Sequence, residues 1–194
     1  DQDVFVKAYF HGLVGLLAPK GYDARTVGAA LMQGIDAMVN NDGTKTNEQV
    51  FWDSFAALLG EGVRDEVALL DEFYRTEFQK ISALCGYAEE SKQIVDMLNA
   101  RGIITVLATN PLFPAIATES RMRWAGLAPE DFKIYTTYES SRFCKPNLKY
   151  YEGLISEIGL APEDCLMVGN DVGEDMIAGK LGMKTFLLTD CLIN

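Results

Sequence analysis

The sequence predicts an α/β fold in which an all-helical module, residues 1–86, precedes a Rossmann-like module, residues 87–194. Two observations lead to this prediction. Apolar residues recur at helical spacing through the first module, and the second module alternates helical segments with short apolar runs typical of strands. Strands separated by helices pair in parallel through right-handed crossovers, so we expect one parallel sheet covered by helices.

The first module is expected to contain four helices. Apolar residues at helical spacing predict helices over 4–17 and 27–38. A third begins at Thr46-Asn47-Glu48-Gln49, which has the form of a capping box. The Thr46 hydroxyl can accept the backbone N–H of Gln49, while the Gln49 side chain can accept the backbone N–H of Thr46. The fourth runs from about 64 to 82.

The second module begins with a helix that ends at Arg101-Gly102. Strands are expected at 103–108, 133–136, 165–168 and 184–188, with helices over 116–124, 148–158 and 175–181. The run Ile103-Ile104-Thr105-Val106-Leu107-Ala108 is nearly continuous in apolar character, as parallel strands covered on both faces are.

Composition excludes several classes of function. Seventeen Lys and Arg against 28 Asp and Glu give a net charge of −11, which disfavours nucleic acid and anionic membrane surfaces as partners. No run reaches the roughly 18 apolar residues of a membrane helix. Four cysteines without a C-x-x-C pair indicate reduced thiols in a cytoplasmic protein. A single histidine disfavours Ser–His or Cys–His catalysis and histidine-based zinc sites.

Polar residues follow two of the expected strands, at the sheet edge where parallel sheets bind ligands. Thr109-Asn110-Pro111 follows the first strand, and its hydroxyl and loop amides can hold anionic oxygens. Alternatively, Thr109 only caps the next helix.

Gly169-Asn170-Asp171-Val172-Gly173-Glu174-Asp175 follows the strand at 165–168 and concentrates acidic and amide side chains. A hard cation with oxygen ligands would relieve the repulsion, and Mg²⁺ is the usual ion where phosphate is also bound. The alternative is a solvated acidic helix start, favoured by the helix dipole. Asp171 lies next to the strand exit rather than on the helix, so a metal site is the favoured interpretation.

Lys145 precedes Pro146 at the entrance to a helix that starts near Asn147. A cation is unfavourable at a helix N-terminus, so Lys145 is explained if it faces a bound anion or a neighbouring carboxylate. An ordinary surface lysine is the alternative.

Together, Thr109, Lys145-Pro146 and Gly169-Asn170-Asp171 with Asp175 resemble, in order and strand context, the second, third and fourth motifs of the haloacid dehalogenase (HAD) superfamily. The resemblance implies a HAD core over 87–194, with 1–86 as the helical cap of a C1-capped member. It further implies a Mg²⁺-dependent phosphatase that forms an aspartyl-phosphate. Thr109 and the Asn110 amide would bind phosphoryl oxygens, Lys145 would neutralise their charge, and Asp171 with Asp175 would hold Mg²⁺.

The family's first motif, Asp-x-Asp-x-Thr, supplies the nucleophile and is not found in the sequence. The nearest string, Asn40-Asn41-Asp42-Gly43-Thr44, follows a helical pattern and has Asn where the nucleophile should be, so we interpret it as a turn. We expect the motif at the end of an apolar strand upstream of Asp1.

Three functional hypotheses follow. The first is a Mg²⁺-dependent phosphatase acting on a small phosphorylated metabolite, as the helical cap implies at the family level. The second is a pseudoenzyme that binds phosphate without turnover, should the first motif be absent. The third is a metal-independent dehalogenase, which the acidic residues Asp171 and Asp175 disfavour. The substrate and the oligomeric state are not predicted.

Overall fold

The computed structural model describes residues 2–193, and within that range it contains eight α-helices and four short strands. The helices are α1 Gln2–Leu17, α2 Ala24–Val39, α3 Asn47–Leu59, α4 Val67–Arg75, α5 Glu77–Lys80, α6 Glu90–Ala100, α7 Ala115–Trp124 and α8 Leu148–Ile158. The strands are β1 Val106–Leu107, β2 Ile134–Tyr135, β3 Leu166–Gly169 and β4 Lys184–Leu187. The predicted α/β class is therefore confirmed.

The first three predicted helices form, but the fourth is not continuous. The segment 61–84 divides into a 3₁₀ turn at Glu61–Glu66, α4, α5 and a 3₁₀ turn at Ile81–Leu84. The break falls at Thr76, whose hydroxyl donates to Glu72 O at 2.8 Å. A β-branched residue that bonds the preceding turn in this way weakens the regular helix, which apolar periodicity alone does not reveal.

The predicted parallel pairing is confirmed, and within the part of the chain that the structure describes the four strands form two pairs. Strand β1 pairs with β2, Val106 opposite Ile134, and β3 pairs with β4, Leu166 opposite Lys184. The two pairs are separate sheets of two strands each. A residue belongs to a strand only where its backbone pairs with a neighbouring strand. The expected strand at 103–108 is therefore limited to the two residues that pair with β2.

Two apolar clusters form the interior. The larger joins the helices of the first module and extends across residue 86 to Ala117 in α7, and the Phe78 and Trp124 rings lie 4.9 Å apart between centroids. The smaller cluster packs α8 against β3 and the segment that follows it, through Tyr150, Tyr151, Met167 and Ala178. That segment, Met176–Leu181, is the helix predicted near 175–181, and it is a 3₁₀ helix.

Among residues 2–193, no helix combines the length and the apolar character needed to cross a membrane.

Candidate active site

The loops that follow β1 and β2 are joined by paired hydrogen bonds between two threonines. The Thr109 hydroxyl donates to Thr136 O at 3.2 Å, and the Thr136 hydroxyl donates to Thr109 O at 2.8 Å. The Tyr150 hydroxyl from α8 also donates to Thr109 O, at 2.7 Å. Thr109 is therefore held from both sides in the loop after β1, and its hydroxyl faces Thr136.

Asn110 connects three loops at this edge. Its side-chain carbonyl accepts the backbone N–H of Lys145 at 3.2 Å, and its side-chain amide donates to Glu174 Oε1 at 2.8 Å. The Asn110 side chain thus joins the loop after β1 to the loop before α8 and to the loop after β3. The three motifs resembling those of the HAD superfamily lie in these loops.

Lys145 forms a buried ion pair with Asp175. The Nζ of Lys145 lies 2.5 Å from Asp175 Oδ1, and the two side chains are 6% and 8% exposed. This close approach needs Gly169 at the end of β3, since a Cβ there would lie 2.1 Å from Asp175 Oδ2. The neighbouring carboxylate predicted for Lys145 is present as Asp175, and the surface-lysine alternative is excluded by burial.

Asp171 lies half-buried, two residues after the end of β3. Its Oδ1 accepts the backbone N–H of Glu174 at 2.7 Å, while its own N–H donates to Asp175 Oδ2 at 3.1 Å. Asp175 therefore has both carboxylate oxygens engaged, one with Lys145 and one with the Asp171 backbone.

The donor set fits part of a magnesium site. No group of three or more His, Cys, Asp or Glu side chains within residues 2–193 is arranged to hold a metal ion. Mg²⁺, however, commonly takes one or two protein carboxylates and completes its shell with phosphate and water. Asp171 offers such a carboxylate at a half-buried position, whereas both oxygens of the neighbouring Asp175 are engaged by Lys145 and by the Asp171 backbone.

Glu174 shows the concentration of negative charge at this edge. Burial and the charge of Asp171 raise the pKa of Glu174, although Lys145 and the Asn110 amide act in the opposite direction. The carboxylates of Asp171, Glu174 and Asp175 share this edge with the ammonium of Lys145, and a cation would offset the negative charge that remains.

Lys145 lies three residues before the start of α8. Asn147 is the N-cap, and its side chain accepts Lys149 N at 3.0 Å, so the helix begins at Leu148. The Lys145-Pro146 peptide bond is cis.

The string at 40–44 is a turn, as predicted. It follows α2 rather than a strand, and Asp42 Oδ1 accepts both the backbone N–H and the hydroxyl of Thr44, at 2.8 and 2.7 Å. The Asp42 carboxylate is thus occupied by local turn contacts.

Three residues that hold these loops were not expected from the sequence: Thr136, Tyr150 and Asn47, whose side-chain amide donates to Pro111 O. Thr136 directly follows β2, so the rule that ligands bind at strand ends could have found it. Tyr150 occupies an apolar position of α8 and carries no polar signal. Asn47 lies within the predicted capping box, but Thr46 and Gln49 form the capping hydrogen bonds, so the motif gives no separate role to Asn47.

A cavity of about 490 Å³ lies beside the loop that follows Asn110. Residues 112–116 form one wall, and aromatic residues of the helical module, among them Phe51, Trp52 and Tyr74, form the other. Glu48 and Glu139 also line it, and burial together with the charge of Glu139 raises the pKa of Glu48. The cavity is thus mostly apolar, with carboxylates in its wall.

Comparison with solved structures shows what this fold resembles. An HAD phosphatase from Thermococcus onnurineus matches with a TM-score of 0.59 at 15% identity, covering 97% of this chain and 80% of that one. A HAD family enzyme from Bacteroides thetaiotaomicron, in complex with magnesium and inorganic phosphate, matches with a TM-score of 0.54 at 14% identity, covering 90% and 83%. A predicted phosphoglycolate phosphatase from Haemophilus somnus matches with a TM-score of 0.50 at 17% identity, covering 94% and 78%.

At these identities the likeness shows the fold, and no curated protein matches the sequence. The model of the haloacid dehalogenase-like hydrolases, in contrast, matches residues 17–182, most of the chain. The fold, the order of the motifs and this match agree, and the chain belongs to the haloacid dehalogenase-like hydrolase family.

Proposed function

We propose that this protein is a Mg²⁺-dependent phosphatase that acts on a small phosphorylated metabolite through an aspartyl-phosphate. The observation that carries the proposal is the buried Lys145, held by Asn110 and Asp175 beside the half-buried carboxylate of Asp171. A fixed cation next to acidic oxygen ligands can stabilise the charge that develops on a phosphoryl group.

The domain assignment belongs to this proposal. Residues 1–86 act as the helical cap and residues 87–194 as the core, with the first strand and its Asp-x-Asp-x-Thr motif upstream of residue 1. Support comes from β1 and β3, each of which pairs with one neighbour within the described residues and so has an edge for a further strand.

In the proposed reaction, the first Asp of that upstream motif attacks phosphorus and breaks the bond to the substrate's ester oxygen, and the second Asp, as the acid, protonates the departing alcohol. Water, deprotonated by the same second Asp, then cleaves the aspartyl-phosphate and releases inorganic phosphate. Lys145 neutralises charge on the phosphoryl oxygens, and the Asn110 amide with the Thr109 hydroxyl binds them, after the hydroxyl turns from Thr136 O. Asp171, helped by Asp175, would hold Mg²⁺, which when bound supplies charge stabilisation at the phosphate.

The substrate's organic part is assigned to the cavity lined by Phe51, Trp52 and residues 112–116. Its volume of about 490 Å³ suits a small metabolite, and its wall continues the loop that begins at Thr109 and Asn110. We further place the protein in the cytoplasm, because its four cysteines are all free.

A panel of small phosphorylated metabolites, a phosphoprotein and L-2-haloacids tests the proposal on the intact protein, with phosphate and halide release measured in parallel. We expect phosphate release from one class of small phosphate ester, suppressed by chelation. Preference for the phosphoprotein would refute the substrate class. Halide release that survives chelation would favour the dehalogenase alternative, and binding of phosphate without any turnover would favour the pseudoenzyme.

A further inference from the structure

Asn47, at the first position of α3, is a polar side chain with no solvent exposure. Its side-chain amide donates to Pro111 O at 3.2 Å and to Cys144 Sγ at 3.3 Å. These acceptors lie 64 and 97 residues further along the chain. One side chain of the helical module therefore binds two loops of the second module at once.

Both contacts adjoin residues of the candidate active site. Pro111 directly follows Asn110, and Cys144 directly precedes Lys145. Because Asn110 also accepts the Lys145 backbone N–H, a shift at either contact is passed to the pair Asn110 and Lys145.

The orientation of the Asn47 amide is fixed by its surroundings. Pro111 O can only accept, so the nitrogen of Asn47 faces it. The remaining carbonyl accepts from Asn41 Nδ2 at 2.9 Å, while the Asn41 carbonyl accepts Gly43 N at 3.0 Å. The turn at 40–44 thus holds Asn41, and Asn41 holds Asn47.

The backbone at the start of α3 adds to the same attachment. The N–H groups at a helix N-terminus lack partners within the helix, and here Asn47 N donates to Ser141 O at 2.8 Å and Glu48 N to Tyr138 O at 2.9 Å. Arg142 Nη1 donates back to Thr44 O at 2.9 Å. The segment 138–144 is therefore held at several points by one helix end.

We propose that Asn47 is a positioning residue, through which the helical module sets the relative placement of Asn110 and Lys145. This inference rests on the proposed function, since it assigns Asn47 to the geometry of the phosphate site rather than to the cap core. An error of about 1 Å in such placement can cost on the order of 100-fold in rate.

The test compares Asn47→Ala and Asn47→Ser with Thr46→Ala in the intact protein. Thr46→Ala is the matched control, because it removes the hydroxyl that accepts Gln49 N at 3.3 Å at the same helix end but leaves both Asn47 contacts in place. With p-nitrophenyl phosphate, at a temperature where all variants are folded, we expect Asn47→Ala to lower kcat on the order of 10- to 100-fold. KM should change little, Asn47→Ser should restore part of kcat, and Thr46→Ala should keep it. Equal kcat in Asn47→Ala and Thr46→Ala would overturn the proposal.

Labelling of Cys144 with a thiol reagent, followed by peptide mapping, gives a readout that needs no enzyme activity. Cys144 is 1% exposed, and burial raises the pKa of its thiol to about 12, so wild-type Cys144 should react slowly. The Asn47 hydrogen bond lowers the pKa of this thiol, so its loss alone would slow labelling, whereas opening of the loop contact exposes the thiol. We expect exposure to dominate, so that Asn47→Ala speeds labelling at least tenfold and Thr46→Ala leaves it unchanged. If the wild type releases no phosphate, the proposed function fails, while an unchanged labelling rate in Asn47→Ala would overturn the anchoring by itself.

Discussion

Lys145 and Asp175 form an ion pair 2.5 Å long, with both side chains almost fully buried, between the loop before α8 and the loop after β3. Each of these charges would be costly to bury alone, because neither could be solvated by water. The pair therefore places a lysine ammonium group at the proposed phosphate site at a cost that the carboxylate offsets.

Breaking this pair from one side should destabilise the protein strongly. We expect Lys145→Met or Asp175→Asn to lower the free energy of unfolding by about 3–5 kcal/mol, because the other charge stays buried without its partner. The double variant should lose less than the sum of the single losses, which urea unfolding of all four proteins measures. Additive losses would mean that the two charges do not interact in solution.

Lys145 should also matter for turnover. We expect Lys145→Ala to lower kcat by about 10²–10³-fold, since removing a preorganised contact to developing charge has an effect of that size. Steady-state kinetics of the folded variant measures this, with circular dichroism as the check on folding. A loss under threefold would leave Lys145 with a structural role alone.

Gly43 connects the turn at 40–44 to the loop before Lys145. Its φ is +88°, and a Cβ there would lie 2.2 Å from Phe143 Cζ. Gly43→Ala should cost about 1–2 kcal/mol for the left-handed backbone and about 1–3 kcal/mol more for the displaced ring.

Gly21→Ala is the control for that substitution. Gly21 has a similar φ of +93° but no atom within 4 Å of the added Cβ, so only the backbone cost should appear. Thermal unfolding compares the two variants. Equal losses of stability would show that the Phe143 ring moves aside without an energetic cost.

Alkaline pH should weaken the helical module through Tyr9. Burial raises the pKa of Tyr9 to about 12, and its hydroxyl lies 2.7 Å from that of Tyr74. The unfolded chain therefore loses this proton first as pH rises above 10, so the free energy of unfolding should fall with pH in that range.

Tyr9→Phe isolates this effect. At pH 7 it should be less stable than the wild type by about 1–3 kcal/mol, because Tyr74 loses its buried partner. The difference in free energy of unfolding between Tyr9→Phe and the wild type should narrow between pH 10 and 12. Urea unfolding at several pH values measures it. Tyr87→Phe, at a position 59% exposed, should have the stability of the wild type at every pH. If the stability of Tyr9→Phe and of the wild type fell in parallel with pH, Tyr9 would not be the group responsible.

The sequence predicted the features that depend on local chemistry. The capping box at Thr46 and Gln49 and the start of α8 at Asn147 follow from hydrogen bonds within a few residues, and both are present. The strand-end residues and the family resemblance together also predicted that the segments around Asn110, Lys145 and Asp171 would meet, and hydrogen bonds join these segments.

What the sequence could not predict depends on distant partners. The run at 103–108 is strand-like throughout, yet only Val106–Leu107 has a ladder, because pairing is decided by β2. The buried role of Asn47 depends on Pro111 and Cys144, which lie far along the chain, and an asparagine beside a capping threonine gives no local signal of it.

The most direct test of the proposed function is the rate of phosphate release by the intact protein, with Mg²⁺ and with chelator, for the wild type and Asp171→Asn. We expect release that requires Mg²⁺ in the wild type and none above background in a folded Asp171→Asn variant, because this carboxylate is the proposed ligand. Wild-type turnover that chelation leaves unchanged, or an Asp171→Asn variant as fast as the wild type, would contradict a magnesium-dependent phosphatase at this site.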